Sequence, residues 1–134
     1  MSWLSTAQLP QPHDRERCSV AWARWRESAA TPEDPAAVAL LDALFGNSPY
    51  LTETAIQDPS FMTDLWHRGP DALSVDLANE LAAARAVACD GGSPTSVATS
   101  LRRLKRCVSL AVAVADIAGL WPLDRVTGEL STFA

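Results

Sequence analysis

The stretch "LFGNSPYLTETAIQDPSF", residues 44–61, predicts that one helix ends and two others begin in quick succession. Gly46 suits the position just after a helix, because glycine accepts the left-handed backbone that ends one. Ser48 can cap the next helix with its hydroxyl, and Pro49 fits a first turn, where no N–H is needed. A second cap-and-proline pair follows at residues 58–59. The stretch therefore favours short helices joined by tight corners over a loop that grips a ligand.

The same pairing of a capping residue with proline recurs along the chain. Six of the nine prolines can be read as helix starts, and none interrupts a periodic run. Apolar stripes at helical spacing lie between these starts. They predict an all-α fold, a compact bundle of about six to seven helices joined by short corners. We expect helices at residues 14–29, 35–45, 49–57, 59–67, 70–89 and 94–118, and a last helix from Pro122.

One part of the longest predicted helix is ambiguous. The segment "VSLAVAVAD", residues 108–116, alternates large and small apolar residues, which is the period of a strand. Its small residues are mostly alanine, which favours helices and is depleted in strands. An uninterrupted helical stripe also enters the segment from the preceding residues. We therefore expect a helix whose inward face carries Val97, Leu101, Leu104, Val108, Ala111 and Ala115.

Composition restricts the class of protein. The 134 residues are 48% hydrophobic and 20% charged, as in an ordinary globular protein. We expect residues 1–12 to form a flexible N-terminal lead and residues 13–134 a single helical domain. The net charge of −5 argues against binding to nucleic acid. No run approaches the ~20 apolar residues of a membrane span, and the first residues do not resemble a signal peptide. We expect a cytoplasmic protein with no nucleic-acid or membrane partner.

The residues that could carry chemistry are few. Cys18, Cys89 and Cys107 are widely spaced, so we expect reduced, buried thiols and no zinc site. The stretch "CDGGSPT", residues 89–95, contains a Gly-Ser pair of the kind that nucleotidyltransferases place before two carboxylates spaced D-x-D. No D-x-D occurs in the chain, so a helix end followed by a Ser93 cap explains the stretch better. We predict no catalytic, cofactor-binding or metal-binding residue.

A run of basic residues is the strongest functional signal. "LRRLKR", residues 101–106, falls within the long helix, where Leu101 and Leu104 are expected to point inward. The arginines are then expected on one solvent-facing stripe. Clustered guanidinium groups bind phosphate and carboxylate well, although a merely solvated helix face would look the same. The run therefore predicts an anion-binding or protein-docking patch, or else an ordinary exposed surface, at Arg102, Arg103, Lys105 and Arg106.

Two blocks resemble the N-terminal helical region of bacterial glutamine synthetase adenylyltransferases, also called glutamate-ammonia-ligase adenylyltransferases or adenylyl-removing enzymes. Residues 44–61 are similar to the family's "FGNSP-[FY]-L…DP" segment. Residues 101–134, "LRRLKRCVSLAVAVADIAGLWPLDRVTGELSTFA", are similar to its "LRR-x-[RK]-R…ALxDIAGL…V…LS" segment. The blocks occur in the family's order and together cover about half of the chain.

The resemblance implies a role in nitrogen metabolism. Enzymes of this family transfer AMP from ATP to a tyrosine of glutamine synthetase and also remove it by phosphorolysis, controlled by the PII signal protein and glutamine. Their transferase domains hold Mg²⁺ and nucleotide with a Gly-Ser turn and a D-x-D pair. This chain has no D-x-D, so it is expected to be the fragment that precedes a nucleotidyltransferase domain, without cofactor or activity of its own. Its expected partners are glutamine synthetase, PII and the downstream catalytic domain.

Two other readings remain open. A stand-alone helical adaptor for protein interactions would have the same composition and the same helices. A nucleic-acid binder could use "LRRLKR", but it would have to do so with a net charge of −5 and without aromatic residues beside the cluster.

Overall fold

The computed structural model describes residues 9–120 together with Arg125 and Gly128. In this part of the chain it contains six α-helices and no strand, which confirms the all-α prediction and the helical reading of residues 108–116. The predicted helix from Pro122 lies outside the described residues, apart from Arg125 and Gly128, which are both helical. The helices are α1 (Arg15–Ser28), α2 (Pro35–Asn47), α3 (Pro49–Gln57), α4 (Pro59–Arg68), α5 (Pro70–Cys89) and α6 (Pro94–Ile117).

The helix starts follow the capping signals in the sequence. Helices α2 to α6 all begin with proline, which lacks only an N–H that the first turn would leave unpaired. Asp14, Asp34, Ser48 and Asp58 each accept a hydrogen bond from a backbone N–H in the turn that follows them. Ser93 occupies the predicted cap position before α6, but its side chain makes no capping hydrogen bond.

The end of α2 differs from the prediction. The helix continues through Asn47, so Gly46 is a helical residue and does not end α2 in a left-handed conformation. The glycine is instead required by a close approach: a Cβ added at Gly46 would lie 2.2 Å from the Cβ of Pro12. The segment that precedes α1 therefore crosses the α2–α3 corner where a larger residue would obstruct it.

Aromatic side chains fill the space between α1, α2 and α4. The Trp22 and Phe45 rings meet edge to face with centroids 5.2 Å apart, and the Trp25 and Trp66 centroids are 5.9 Å apart. The Trp25 indole N–H donates to the Ala30 carbonyl at 3.0 Å, which satisfies its polar group. Trp3 and Trp121 lie outside the described residues. Aliphatic side chains complete this core: Leu40, Leu41, Leu44, Met62, Leu65, Leu110 and Val114.

Helices α5 and α6 form a hairpin that projects from the core. No residue between 82 and 103 is buried, whereas Leu81 and Leu104 on either side are. We call residues 82–103 the α5–α6 arm. At its tip Gly91 has a φ of 81°, and the Gly92 N–H donates to the Val87 carbonyl at 2.9 Å. This hydrogen bond and the left-handed glycine form the helix end predicted for "DGG".

The arm is also where the predicted helix faces are wrong. Leu101 is predicted to point inward but is 39% exposed. Within the arm each helix packs mainly against the other, so an apolar residue beside that seam is not covered by any other described helix. Farther along α6, where α3 and α5 both contact the helix, the predicted inward residues Leu104, Val108, Ala111 and Ala115 are buried.

Candidate functional site

The predicted basic patch lies on α6 where the arm joins the core. Leu104, 4% exposed, anchors this part of the helix, and Cys107 and Val108 continue the buried side one turn later. Because successive helical residues are about 100° apart around the axis, the four basic residues cannot share one direction. Among the described residues, the structure divides them into one residue that forms ion pairs with other helices and three that do not.

Arg103 is exposed, like Arg102, but its guanidinium also contacts neighbouring helices, which the predicted solvent-facing stripe did not include. Its Nε donates to Asp58 Oδ2 at 3.1 Å, and one of its terminal nitrogens lies 3.5 Å from Glu80 Oε2. Asp58 also caps α4, since its other oxygen accepts from the Phe61 N–H at 3.3 Å. Arg103 therefore ties α6 to α5 and to the α3–α4 corner, and it contributes to the structure of the bundle.

The other three basic residues face away from this contact. The side chains of Arg102, Lys105 and Arg106 make no hydrogen bond or ion pair with the described part of the chain. Arg102 and Lys105 are exposed, and Arg106 is half-buried. We call these three residues the free basic face. Their hydrated charges are available to a partner, which makes this face the candidate functional site.

The cysteine thiols do not form a reactive site with the free basic face. The Cys107 Sγ lies 3.8 Å from Asp58 Oδ2, and burial, reinforced by that carboxylate, raises the pKa of the Cys107 thiol to about 12. Burial and the nearby Asp42 also raise the pKa of Cys18. Cys89 is exposed near the arm tip, so the prediction that all three thiols are buried is wrong for this residue. No residue between 82 and 103 is buried, so this end of α5 is not covered by the described part of the chain.

A groove in the arm is the other concave feature near the basic residues. It has a volume of about 350 Å³ and runs between α5 and α6. Glu80 and Arg103 stand at the end nearest the core. Most of the remaining wall consists of methyl groups and small hydroxyls, which offer apolar surface and no reacting group: Ala83, Ala84, Val87, Ser96, Val97, Ser100 and Leu104.

Among the described residues, no three His, Cys, Asp or Glu side chains are arranged so that they could hold a metal ion together. None of the helices in that part of the chain has the length and apolar character needed to cross a membrane.

Comparison with known proteins gives one consistent family. The family model of glutamate-ammonia ligase adenylyltransferase matches residues 38–134, which include both the α2–α3 corner and the basic face. The chain belongs to this family. No solved structure matches it.

Curated members of the family are much longer than this chain. It is 37% identical over 123 residues to the bifunctional glutamine synthetase adenylyltransferase/adenylyl-removing enzyme of Caulobacter vibrioides, covering 92% of this chain and 12% of that enzyme. Identity to the enzyme of the same name from Bradyrhizobium diazoefficiens is 34%, over 81% of this chain and 12% of the relative. The enzyme of the same name from Rhodopseudomonas palustris strain BisB5 is 37% identical to this chain, over 65% of this chain and 8% of that enzyme. The chain thus corresponds to a small part of each relative.

Proposed function

We propose that this chain is the N-terminal helical module of an enzyme that attaches AMP to glutamine synthetase and removes it again, and thereby regulates nitrogen assimilation. The proposal rests on the match to the Caulobacter enzyme, which covers 92% of this chain but only 12% of that enzyme. Such a ratio is expected of one structural unit within a multidomain enzyme.

The module would support the reaction without performing it. Nucleotidyl transfer requires carboxylates that position Mg²⁺ and stabilise charge on the phosphates. No two aspartates of this chain are spaced D-x-D, so ATP and Mg²⁺ would bind to the downstream catalytic domain of the longer enzyme. Glutamine synthetase would be its substrate and the PII signal protein its regulator, and all of these partners would meet in the cytoplasm.

A chimera tests this function. Residues 1–134 would replace the matched segment of the Caulobacter enzyme, and incorporation of labelled AMP into glutamine synthetase would be followed together with its removal. We expect both activities to remain within about tenfold of the parent enzyme, because the two sequences are 37% identical over 92% of this chain. The control replaces the same segment by an unrelated helical bundle and should be inactive. Inactivity of the chimera in a folded, monodisperse preparation would favour a stand-alone adaptor instead.

A further inference from the structure

We infer that the free basic face of α6, formed by Arg102, Lys105 and Arg106, docks an acidic surface of the protein that the enzyme modifies. The inference rests on the proposed function for the identity of that protein, which would be glutamine synthetase. It goes further because it assigns a binding surface, the chemistry of its partner and the residues that recognise it.

The charge along α6 is unlike that of the chain as a whole. The protein carries a net charge of −5, yet no acidic residue of α6 precedes Asp116, ten residues beyond Arg106. At 1.5 Å per residue this separation is about 15 Å, longer than the screening length of about 8 Å at physiological salt. The three cations therefore present a local positive potential that the helix itself does not neutralise. An acidic surface is the complementary partner, and charge attraction would also steer its approach.

The orientation of the face is fixed by the contacts beneath it. Arg103 is held by Asp58 and Glu80, and Leu104 is buried on the same turn of α6. These contacts prevent rotation of the helix about its axis, so the neighbouring cations remain directed outward. Positioning by a rigid element lowers the cost of ordering a binding surface, which favours recognition over diffuse attraction.

The composition of the face suits a partner that binds and leaves. Permanent interfaces are rich in apolar residues, whereas transient ones are more polar. Here the large apolar residue next to the cations is Leu101, 39% exposed, and the charged side chains occupy the rest of this turn. A protein substrate must be released after each modification. Nucleic acid is a poorer match, since three cations on an acidic chain without adjacent aromatic residues would contact few phosphates.

Direct binding of the 134-residue chain to immobilised glutamine synthetase tests the inference. The variant Arg102→Gln/Arg106→Gln removes two charges from the free basic face. Its matched control is Arg15→Gln/Arg85→Gln, which removes two charges from exposed arginines of α1 and α5 that lie outside the face. We expect the first variant to raise the Kd about five- to tenfold and to lose most of its salt dependence, while the control stays within about twofold of the parent chain. Melting temperatures of all three should agree, which would exclude unfolding.

Several outcomes would overturn the inference. These are absence of binding to glutamine synthetase, equal weakening by both variants, or tighter binding of a single-stranded oligonucleotide or of phosphatidylserine vesicles than of the synthetase. Each result is separate from the chimera assay. An active chimera whose isolated module does not bind glutamine synthetase would leave the proposed function intact and refute the docking surface.

Discussion

Asn47 lies in a predicted helix corner, but its side chain also holds the segment that precedes α1. Its Nδ2 donates to the Gln11 and Ala43 carbonyls at 3.0 and 2.9 Å, and its Oδ1 accepts from the His13 N–H at 3.1 Å. Only a side-chain amide both donates and accepts in this way. The sequence predicted a corner here, but not this role, because two of the three partners are more than thirty residues away. The contact between Gly46 and Pro12 could not be predicted for the same reason, since the two residues are far apart in the sequence.

Replacing Gly46 by alanine should destabilise the protein. The added Cβ would meet Pro12 at 2.2 Å, and overpacking of this kind costs about 1–3 kcal/mol. Urea denaturation followed by circular dichroism would measure the loss. Gly128→Ala is the control, because a Cβ there meets no atom within 4 Å. If the clash is the cause, adding Pro12→Gly to Gly46→Ala should restore part of the stability. A Gly46→Ala protein as stable as its parent would show that the segment does not pack against the corner.

The three thiols should differ in reactivity. The thiolate is the species that reacts with iodoacetamide, and burial keeps Cys107 protonated well above pH 8 by raising its pKa to about 12. Burial also shields Cys18, whereas Cys89 is exposed. At pH 8 we expect Cys89 to be alkylated first, and Cys18 and Cys107 to react at least tenfold more slowly until urea unfolds the chain. Peptide mass spectrometry would record the order, and Cys107 reacting as fast as Cys89 would contradict the packing around α6.

At the scale of the helices, the features that could be predicted are the local ones. Each of α2 to α6 starts at a proline because capping and proline geometry involve residues only a few positions apart. Which face of α6 is buried depends on its neighbours, and the sequence does not say that, among the described helices, its first half packs mainly against α5. The exposure of Leu101 and the pairing of Arg103 with Asp58, forty-five residues away, both follow from this packing.

Asp58 should therefore contribute more to stability than Arg103. Asp58 caps α4 and also accepts from Arg103, whereas Arg103, with a side chain 45% exposed, contributes its contacts with Asp58 and Glu80 and no helix cap. We expect Asp58→Ala to lower the free energy of unfolding by about 1–2 kcal/mol and Arg103→Gln by about 0.5–1 kcal/mol. Arg102→Gln, on the free basic face, serves as the control and should have no measurable effect. Thermal melts of the three variants would test this order, and equal values for Arg103→Gln and Arg102→Gln would mean that the ion pairs do not stabilise the bundle.

On the scale of the whole molecule, the packed core and the free basic face occupy different parts of the structure. Aromatic and aliphatic side chains of the first four helices pack with the second half of α6. The arm and the free basic face lie outside that core. The basic run could be found in the sequence, because four cations within six residues are conspicuous in an acidic chain. The sequence could not show that Arg103 differs from the other three cations, because that difference depends on how α6 is rotated against the bundle.

By itself, the 134-residue chain should neither attach AMP to glutamine synthetase nor remove it. Both reactions move an adenylyl group, and catalysis of such a transfer depends on carboxylates that position Mg²⁺ beside the phosphates. The chain has no D-x-D pair, and its basic face could attract a phosphate but offers no group to activate the attacking oxygen. Incubation with labelled ATP, Mg²⁺ and unmodified glutamine synthetase should leave the synthetase unlabelled, and label already present should remain. The Caulobacter enzyme under the same conditions is the positive control. Label transferred at a rate proportional to the concentration of this chain, and abolished by Arg102→Gln/Arg106→Gln, would show that the basic face acts on the nucleotide itself.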